Sequence, residues 1–267
     1  MKTGKVRVIV HGALGRMGRE VTAGLSREPD IQIVGGVDKL SAGDSLNLPD
    51  GSSATLSTDL AALLSSHHTD VVVDFSVAEA AMSAARTVTK SGVNMVIGTT
   101  GLSPENLAEI DHLCQINAVG AVVAPNFALG AVLLMHLAEV ASRFFDYAEI
   151  LELHHEKKLD APSGTAISTA RAMAEARGRP FLHPQVQKEI LGGTRGGEMQ
   201  GIAIHSVRLP GLLAHQEVIL GGPGQTLTLR HDTLSRECYM PGVILAVREV
   251  VKRKGLTYGL DKLLGLR

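Results

Sequence analysis

The sequence predicts an α/β protein: a doubly wound parallel sheet at the N-terminus, followed by a C-terminal α+β domain built on a mixed or antiparallel sheet. Three observations carry this. Strand-length apolar runs alternate with helix-period segments through the first half, and a glycine-rich turn joins the first run to the first helix. After about residue 127 the pattern changes to strands that alternate polar and apolar residues.

The runs "KVRVIVHG", "IQIVGGVD", "DVVVDFS", "VNMVIGTTG" and "AVGAVVAPNF" are apolar without alternation, as strands covered on both faces are. Between them, "GRMGREVTAGLSRE", "VAEAAMSAARTVTKSG" and "SPENLAEIDHLCQIN" carry apolar residues at helical spacing, with Gly or Asn near several of their ends. This is a βαβ alternation, for which right-handed crossovers are expected. Further on, "GAVLLMHLAEVASRFF" reads as a helix, "AEILELHHEKKLD" opens as a strand, and "SGTAISTARAMAEARG" reads as a helix ending at Gly178. The segments "GIAIHSVRLPG", "HQEVILGG" and "QTLTLRHDT" read as antiparallel strands joined by Gly and Pro turns, Thr226, Thr228 and Arg230 alternating with Leu227 and Leu229. "KEILGGTRGGEMQG", with five glycines, reads as a mobile loop. "SRECYMPGVILAVREVVKRKG" reads as a helix despite Pro241, able to pack back on the first domain. The expected domains are therefore residues 1–127 plus 236–267, and residues 128–235.

Composition narrows the partners. With 267 residues and 45% hydrophobic content the chain can bury a substantial core. Its 26 basic and 27 acidic residues give a formal charge of -1, which leaves no electrostatic footprint for nucleic acid or an anionic membrane. Aromatic content of 3%, without Trp, offers few platforms for stacking bases. Cys114 and Cys238 lie far apart and outside any ligand-spaced motif, so they read as small apolar residues in a reducing compartment. The N-terminal apolar run is too short for a signal peptide, and no run reaches the roughly 18 apolar residues of a spanning helix. A cytoplasmic protein with a small-molecule partner is expected.

The turn "GALGRMG" places glycines at 12, 15 and 18 between the first strand and the first helix. In such a turn the first glycine allows a tight bend, the next lets backbone approach a pyrophosphate, and the last lets helix pack on strand, with phosphates at the helix N-terminus. The spacing is G-x-x-G-x-x-G rather than the strict dinucleotide fingerprint, and an ordinary glycine-rich turn uses the same residues. Context favours a Rossmann-like nucleotide site: the second strand ends in Asp38, twenty residues past Gly18, near where a ribose-binding acid belongs. Asp38 argues for NADH, since its carboxylate accepts from a 2'-hydroxyl and repels a 2'-phosphate, whereas Lys39 argues for NADPH. Both cofactors stay open. Arg16 faces either phosphate or solvent. "GTTG" (98–101) and "APNF" (124–127) end the fourth and fifth long strands, where ligands of open α/β sheets bind; simple turn chemistry favours the same residue types.

The richest titratable stretch is "HHEKKLDAPSGTA", residues 154–166. A strand delivering His154 and His155 points them to opposite faces unless it ends there. Ser163 is a plausible N-cap, which would leave the Gly164 and Thr165 N–H groups as an anion pocket suited to a substrate carboxylate. Lys158 can then protonate a developing carbanion or nitrogen anion while a cofactor donates hydride; a Schiff-base role is the weaker option where a reducing cofactor supplies the chemistry. The spacing matches no zinc pattern, so no metal is expected. A basic surface loop before a capped helix is the plain alternative, and His67 with His68 reads as a solvated helix end.

The segment "ELHHEKKLDAPSGTA" closely resembles the hallmark of the 4-hydroxy-tetrahydrodipicolinate reductase (dihydrodipicolinate reductase) family of lysine and diaminopimelate biosynthesis. "GALGRMG", "DFS", "GTTG", "APNF", "HSVRLPG" and "SRECYMPGVILA" resemble it too, so the similarity spans essentially the whole chain. The resemblance implies a homotetramer whose N-terminal domain binds NADH or NADPH and whose C-terminal domain supplies substrate binding and the oligomer interface. It implies hydride transfer to a cyclic unsaturated imine dicarboxylate. By motif position it implies His154 as proton donor or acceptor, Lys158 as proton donor, His155 as substrate ligand, and Gly164 and Thr165 on a substrate carboxylate. Cofactor contacts would be Gly12, Ala13, Leu14, Gly15, Arg16, Met17, Asp38 with Lys39, Gly98, Thr99, Thr100, Ala124, Pro125, Asn126 and Phe127. Two positions depart from or blur the family pattern: Lys157 stands where many members carry a second basic residue, which leaves its role beside Lys158 open, and Asp38–Lys39 differs from a Glu–Arg pair used by some. Arg236 is a further candidate for substrate binding or domain coupling. The alternatives are a nucleotide-sensing protein without turnover and another imine-acting amino-acid dehydrogenase; only a catalyst needs the histidine–lysine run.

Overall fold

Strand β1 (Val6–His11) buries its centre, Val8 to Val10, completely, and turns through residues 12–15 into helix α1 (Arg16–Ser26). Gly18, Val21, Thr22 and Leu25 are the buried positions of that helix, one stripe at helical spacing. The structure, a computed structural model, describes residues 4–266 apart from positions 42 and 44. It divides into two compact units, one running to Leu129 and resuming at Arg236, the other Gly130–Ser235.

The first unit continues with β2 (Ile31–Val37), β3 (Ser45–Asn47), β4 (Ser53–Ser57), α2 (Leu60–Ser66), β5 (Val71–Asp74), α3 (Ala78–Lys90), β6 (Asn94–Ile97), α4 (Pro104–Asn117) and β7 (Gly120–Val123). Its eight strands order as β13-β7-β6-β5-β1-β2-β4-β3, β13 (Gly255–Tyr258) being added from late in the chain, and every pairing is parallel except the β3/β4 hairpin. Strand order reverses between β1 and β5, which places the end of β1 beside the end of β5 at a topological switch point. Ile9, Val72, Met95, Ile97, Ile110 and Cys114 anchor the core on one side of this sheet. Full burial of such a side chain contributes about 1.5–3 kcal/mol. The hairpin and β13 were not legible in the sequence, and α2 only by its end, where His67 is the C-cap; β3 has only three residues, too few for an alternation to register.

The second unit comprises α5 (Leu129–Ser142, entered from the first), β8 (Tyr147–His154), α6 (Gly164–Arg177), β9 (Gly197–Met199), β10 (Ile202–Arg208), β11 (Ala214–Gly222) and β12 (Gln225–Thr233). Its sheet orders as β12-β11-β8-β10-β9. The expectation that "GIAIHSVRLPG" pairs antiparallel with the next strand is corrected: β8 lies between β10 and β11, and β10 runs parallel to β8. The Leu209 N–H donates to the His154 carbonyl, so β10 finishes at the end of β8 and the chain crosses to its far edge rather than folding back on itself. The glycine-rich stretch is likewise not all loop, since residues 197–199 pair with β10 as an edge strand and Arg195 donates to Glu149 at 2.5 Å. α5 and α6 cover one face of the sheet, packing Leu134, Ala170 and Met173 on Ile150, Ile202, Val218 and Leu220.

The chain then rejoins the first unit through a 3-10 turn (Arg236–Tyr239), α7 (Met240–Val250), β13 (Gly255–Tyr258) and α8 (Leu260–Leu263). Pro241 sits in the first turn of α7, where its missing N–H costs no intrahelical bond. Among the described residues no helix is long and apolar enough to cross a membrane.

Candidate active site

Two sets of residues gather chemistry, one in each unit. In the first, Gly12 has φ +79°, and a Cβ there would lie 2.7 Å from the Phe75 carbonyl oxygen. A Cβ on Gly18 would come within 2.0 Å of the Gly12 carbonyl oxygen, so α1 approaches the turn as closely as only glycine permits. Gly15 caps α1 with no side-chain hydrogen bond, which leaves the first-turn amides open to an anion. The turn therefore fits a dinucleotide pyrophosphate. Ala13 is buried, Leu14 and Met17 are half-buried, and Arg16 is exposed.

Asp38 is 9% exposed: its Oδ2 accepts from the Leu14 N–H at 2.9 Å and its Oδ1 from the Leu40 N–H at 3.0 Å. The carboxylate braces the glycine turn from the end of β2, and each oxygen keeps a lone pair for another donor. Lys39 beside it is exposed.

At the switch point, the fully buried Asp74 carboxylate meets His11 Nδ1, the Thr99 hydroxyl and the Ser76 hydroxyl, the last at 3.0 and 3.1 Å. The Thr99 hydroxyl also accepts from the Ser76 N–H at 2.8 Å. The Thr99 side chain is thus committed to the protein; Gly98 is half-buried and Thr100 exposed. After β7, Ala124 is buried, Pro125 is exposed, and the Asn126 Oδ1 accepts from the Ala128 N–H at 2.9 Å. The Phe127 ring is buried against Phe75, centroids 5.8 Å apart. What residues 124–127 present to a ligand is mainly backbone. Asp74 and Ser76 lie in the quoted "DFS", but their association with His11 and Thr99 was not legible because it depends on β1, β5 and β6 lying side by side.

In the second unit β8 ends at His154, so His155 lies beyond the strand and is not held to the opposite face. Glu152, two positions before His154 and on the same face, is completely buried. Its Oε2 contacts His154 Nδ1 at 2.5 Å and accepts from Arg208 at 2.9 Å; its Oε1 accepts from Arg208 at 2.7 Å and from the Ser163 N–H at 3.2 Å. Burial works to raise the Glu152 pKa, but hydrogen bonds from Arg208, Ser206 and His154 outweigh it and hold the carboxyl below its usual range. Burial pushes the His154 imidazole below its usual value against the pull of Glu152.

Lys158 turns inward, its side chain 21% exposed, and its Nζ donates to Asp160 at 2.7 Å, whereas Lys157 is exposed. Arg208 donates in addition to the Asp160 carbonyl at 2.6 Å. The Ser163 hydroxyl caps α6 by accepting from the Ala166 N–H at 3.2 Å, and no acceptor takes the Gly164 or Thr165 N–H among the described residues. His154, Lys158, Gly164 and Thr165 are thus brought together around Glu152 and Arg208. Glu152 had a signal in the sequence, its i, i+2 relation to His154; Asp160 and Arg208 lay inside the quoted stretches "HHEKKLDAPSGTA" and "HSVRLPG" without a role assigned to them. Arg236 is half-buried at the start of the 3-10 turn. Among the described residues no group of three or more His, Cys, Asp or Glu could hold a metal ion.

Known proteins resemble this chain along nearly its whole length. A family model described as "Dihydrodipicolinate reductase, N-terminus" matches residues 6–127, and one described as "Dihydrodipicolinate reductase, C-terminus" matches residues 130–264. A 4-hydroxy-tetrahydrodipicolinate reductase of Dehalococcoides mccartyi is 56% identical over 262 residues, 98% of this chain and 99% of the relative. That of Moorella thermoacetica is 53% identical over 262 residues, 97% of this chain and 98% of the relative. Among solved structures, a dipicolinate-bound dihydrodipicolinate reductase from Paenisporosarcina sp. superposes with a TM-score of 0.86 at 40% identity, covering 97% of this chain and 99% of its own.

Proposed function

Because the chain belongs to the dihydrodipicolinate reductase family, we propose that its glycine-turn unit holds the nicotinamide cofactor while the β8–α6 stretch of the other unit binds and protonates the substrate. The activity is NAD(P)H-dependent reduction of 4-hydroxy-tetrahydrodipicolinate to tetrahydrodipicolinate, a step of lysine and diaminopimelate biosynthesis. The bound cofactor supplies the hydride. Gly12 to Met17 receive its pyrophosphate, Asp38 and Lys39 meet the adenine-side ribose, and the backbones of Gly98–Thr100 and Ala124–Phe127 face its nicotinamide half. Asp38 favours NADH, and the exposed Lys39 leaves room for NADPH.

The substrate roles follow from the second unit. The Gly164 and Thr165 amides at the start of α6 hold one carboxylate, as a helix N-terminus does. His155 is a further ligand. Lys158, hydrogen-bonded to the Asp160 carboxylate, donates the proton, and His154 beside it takes or gives one. The dipicolinate carried by the solved relative is a planar ring dicarboxylate, the shape this arrangement suits. We further propose a cytoplasmic homotetramer assembled through the second unit, whose sheet leaves Tyr147, Leu151, Leu153 and Ile219 accessible on the face opposite α5 and α6.

One observation carries the assignment of the site: a capped helix start with two unclaimed amides stands on the same buried carboxylate as His154. The test is NADH oxidation in the presence of enzymatically generated 4-hydroxy-tetrahydrodipicolinate, expected at one NADH per substrate. Cofactor binding without turnover would overturn the reading.

A further inference from the structure

Glu152 is a hub rather than one half of an ion pair. Both of its oxygens are occupied, Oε1 by the Ser163 N–H and Arg208, Oε2 by Arg208 and His154. Guanidinium and amide nitrogens can only donate, and a two-pronged guanidinium with a third N–H donor holds the carboxyl ionised, in which form it can only accept. The fourth contact, 2.5 Å to His154 Nδ1, must then be a donation from the imidazole. That leaves Nε2 without a proton in the neutral ring.

We propose that Glu152 is the positioning residue of this site: it fixes His154 as the Nδ1–H tautomer, making Nε2 the working nitrogen, and through Arg208 sets Lys158 in the same frame. The inference rests on His154 and Lys158 being the reacting groups. The route to Lys158 is continuous, since the guanidinium that grips Glu152 also donates to the Asp160 carbonyl at 2.6 Å, and the Asp160 carboxylate accepts from Lys158 Nζ at 2.7 Å. The route to the carboxylate pocket is shorter still, because Ser163, whose own N–H is bound by Glu152, caps α6. One buried anion therefore aligns the proton-handling groups with the amides that hold the substrate. When Nε2 takes up a proton, the resulting imidazolium already has its counter-charge in place, so little reorganisation accompanies the transfer.

The experiment reads the tautomer directly, by 15N NMR of the histidine rings at neutral pH, with the His154 signals assigned from a His154→Asn variant. In the unaltered protein His154 is expected with Nδ1 protonated and Nε2 bare; the reverse tautomer would overturn the proposal without reference to activity. In Glu152→Gln one acceptor oxygen becomes an NH2 that opposes a donor. His154 is then expected to shift toward the other tautomer, and kcat to fall about 10- to 100-fold, while KM for NADH stays within about twofold. A folded Glu152→Gln protein that keeps the tautomer and kcat would reduce Glu152 to a stabilising ion pair and overturn its positioning role. Arg208→Lys keeps the charge but loses the two-pronged contact and the reach to Asp160; it should retain the tautomer and lower kcat, and an unchanged kcat would overturn the link to Lys158.

Discussion

Replacing Gly164 by proline tests whether a helix start, rather than a side chain, holds the substrate. The substitution removes one N–H and little else. Gly164 is the first residue of α6, the position at which proline is most at home in a helix, and Ser163 before it has φ -65° and ψ 150°, an extended conformation that a residue preceding proline readily adopts. A Cβ at 164 meets nothing within 4 Å. The Ser163 cap is directed at the Ala166 N–H, so the helix keeps its capping bond. If the Gly164 amide donates to a substrate carboxylate, its loss removes a hydrogen bond to a charged group, about 1.5–3 kcal/mol. That corresponds to a rise of about 10- to 150-fold in substrate KM at 25 °C, with KM for NADH unaltered. Initial rates of NADH oxidation over a range of substrate concentrations measure it, alongside Tm to confirm the fold. Gly164→Ala, which keeps the N–H, serves as the control and should change KM less than about threefold. A folded Gly164→Pro enzyme with the substrate KM of the control would refute the amide pocket.

Lys158→Ala should lower kcat roughly 100-fold or more with little change in NADH affinity, while Lys157→Ala, at an exposed position, should leave turnover near normal; steady-state kinetics of the pair decide between them, and near-normal turnover in Lys158→Ala would remove it from the reaction. Asp38→Ala should lower kcat/KM for NADH by about 10-fold or more relative to NADPH; an unchanged ratio would mean that the carboxylate only braces the Leu14 and Leu40 amides. Burial lowers the pKa values of His154 and His231 from the usual 6.5, so the unfolded chain binds protons near that pH that the folded chain resists. Their contribution to stability is complete above pH 6.5 and is lost as pH falls through the folded values. Tm should decline as the pH is lowered from 7 toward about 5, and a flat profile would contradict the burial argument.

Much of the first unit could be read locally. Its strands are continuously apolar because both faces of the sheet are covered, and its turn needs glycine at 12 and 18 because backbone atoms meet there. The short hairpin β3/β4 escaped, since three residues carry no periodicity. In the second unit the strands were evident but not their neighbours: alternation reports which face a residue occupies, not which strand lies beside it, and so the parallel pairing of β10 with β8 could not be inferred.

The stretch from His154 to Ala166 marks the same division. Its residue types and the cap at Ser163 are local properties, set by side-chain chemistry and by the unsatisfied amides of a helix start, and the sequence determined them by itself. That His154 Nδ1 meets a buried carboxylate, and that a guanidinium grips that carboxylate on both oxygens, was decided by the meeting of Glu152 and Arg208, 56 positions apart in the chain. The physical reason is that a buried carboxylate must find its donors wherever the fold delivers them, and only the completed sheet brings these donors to it.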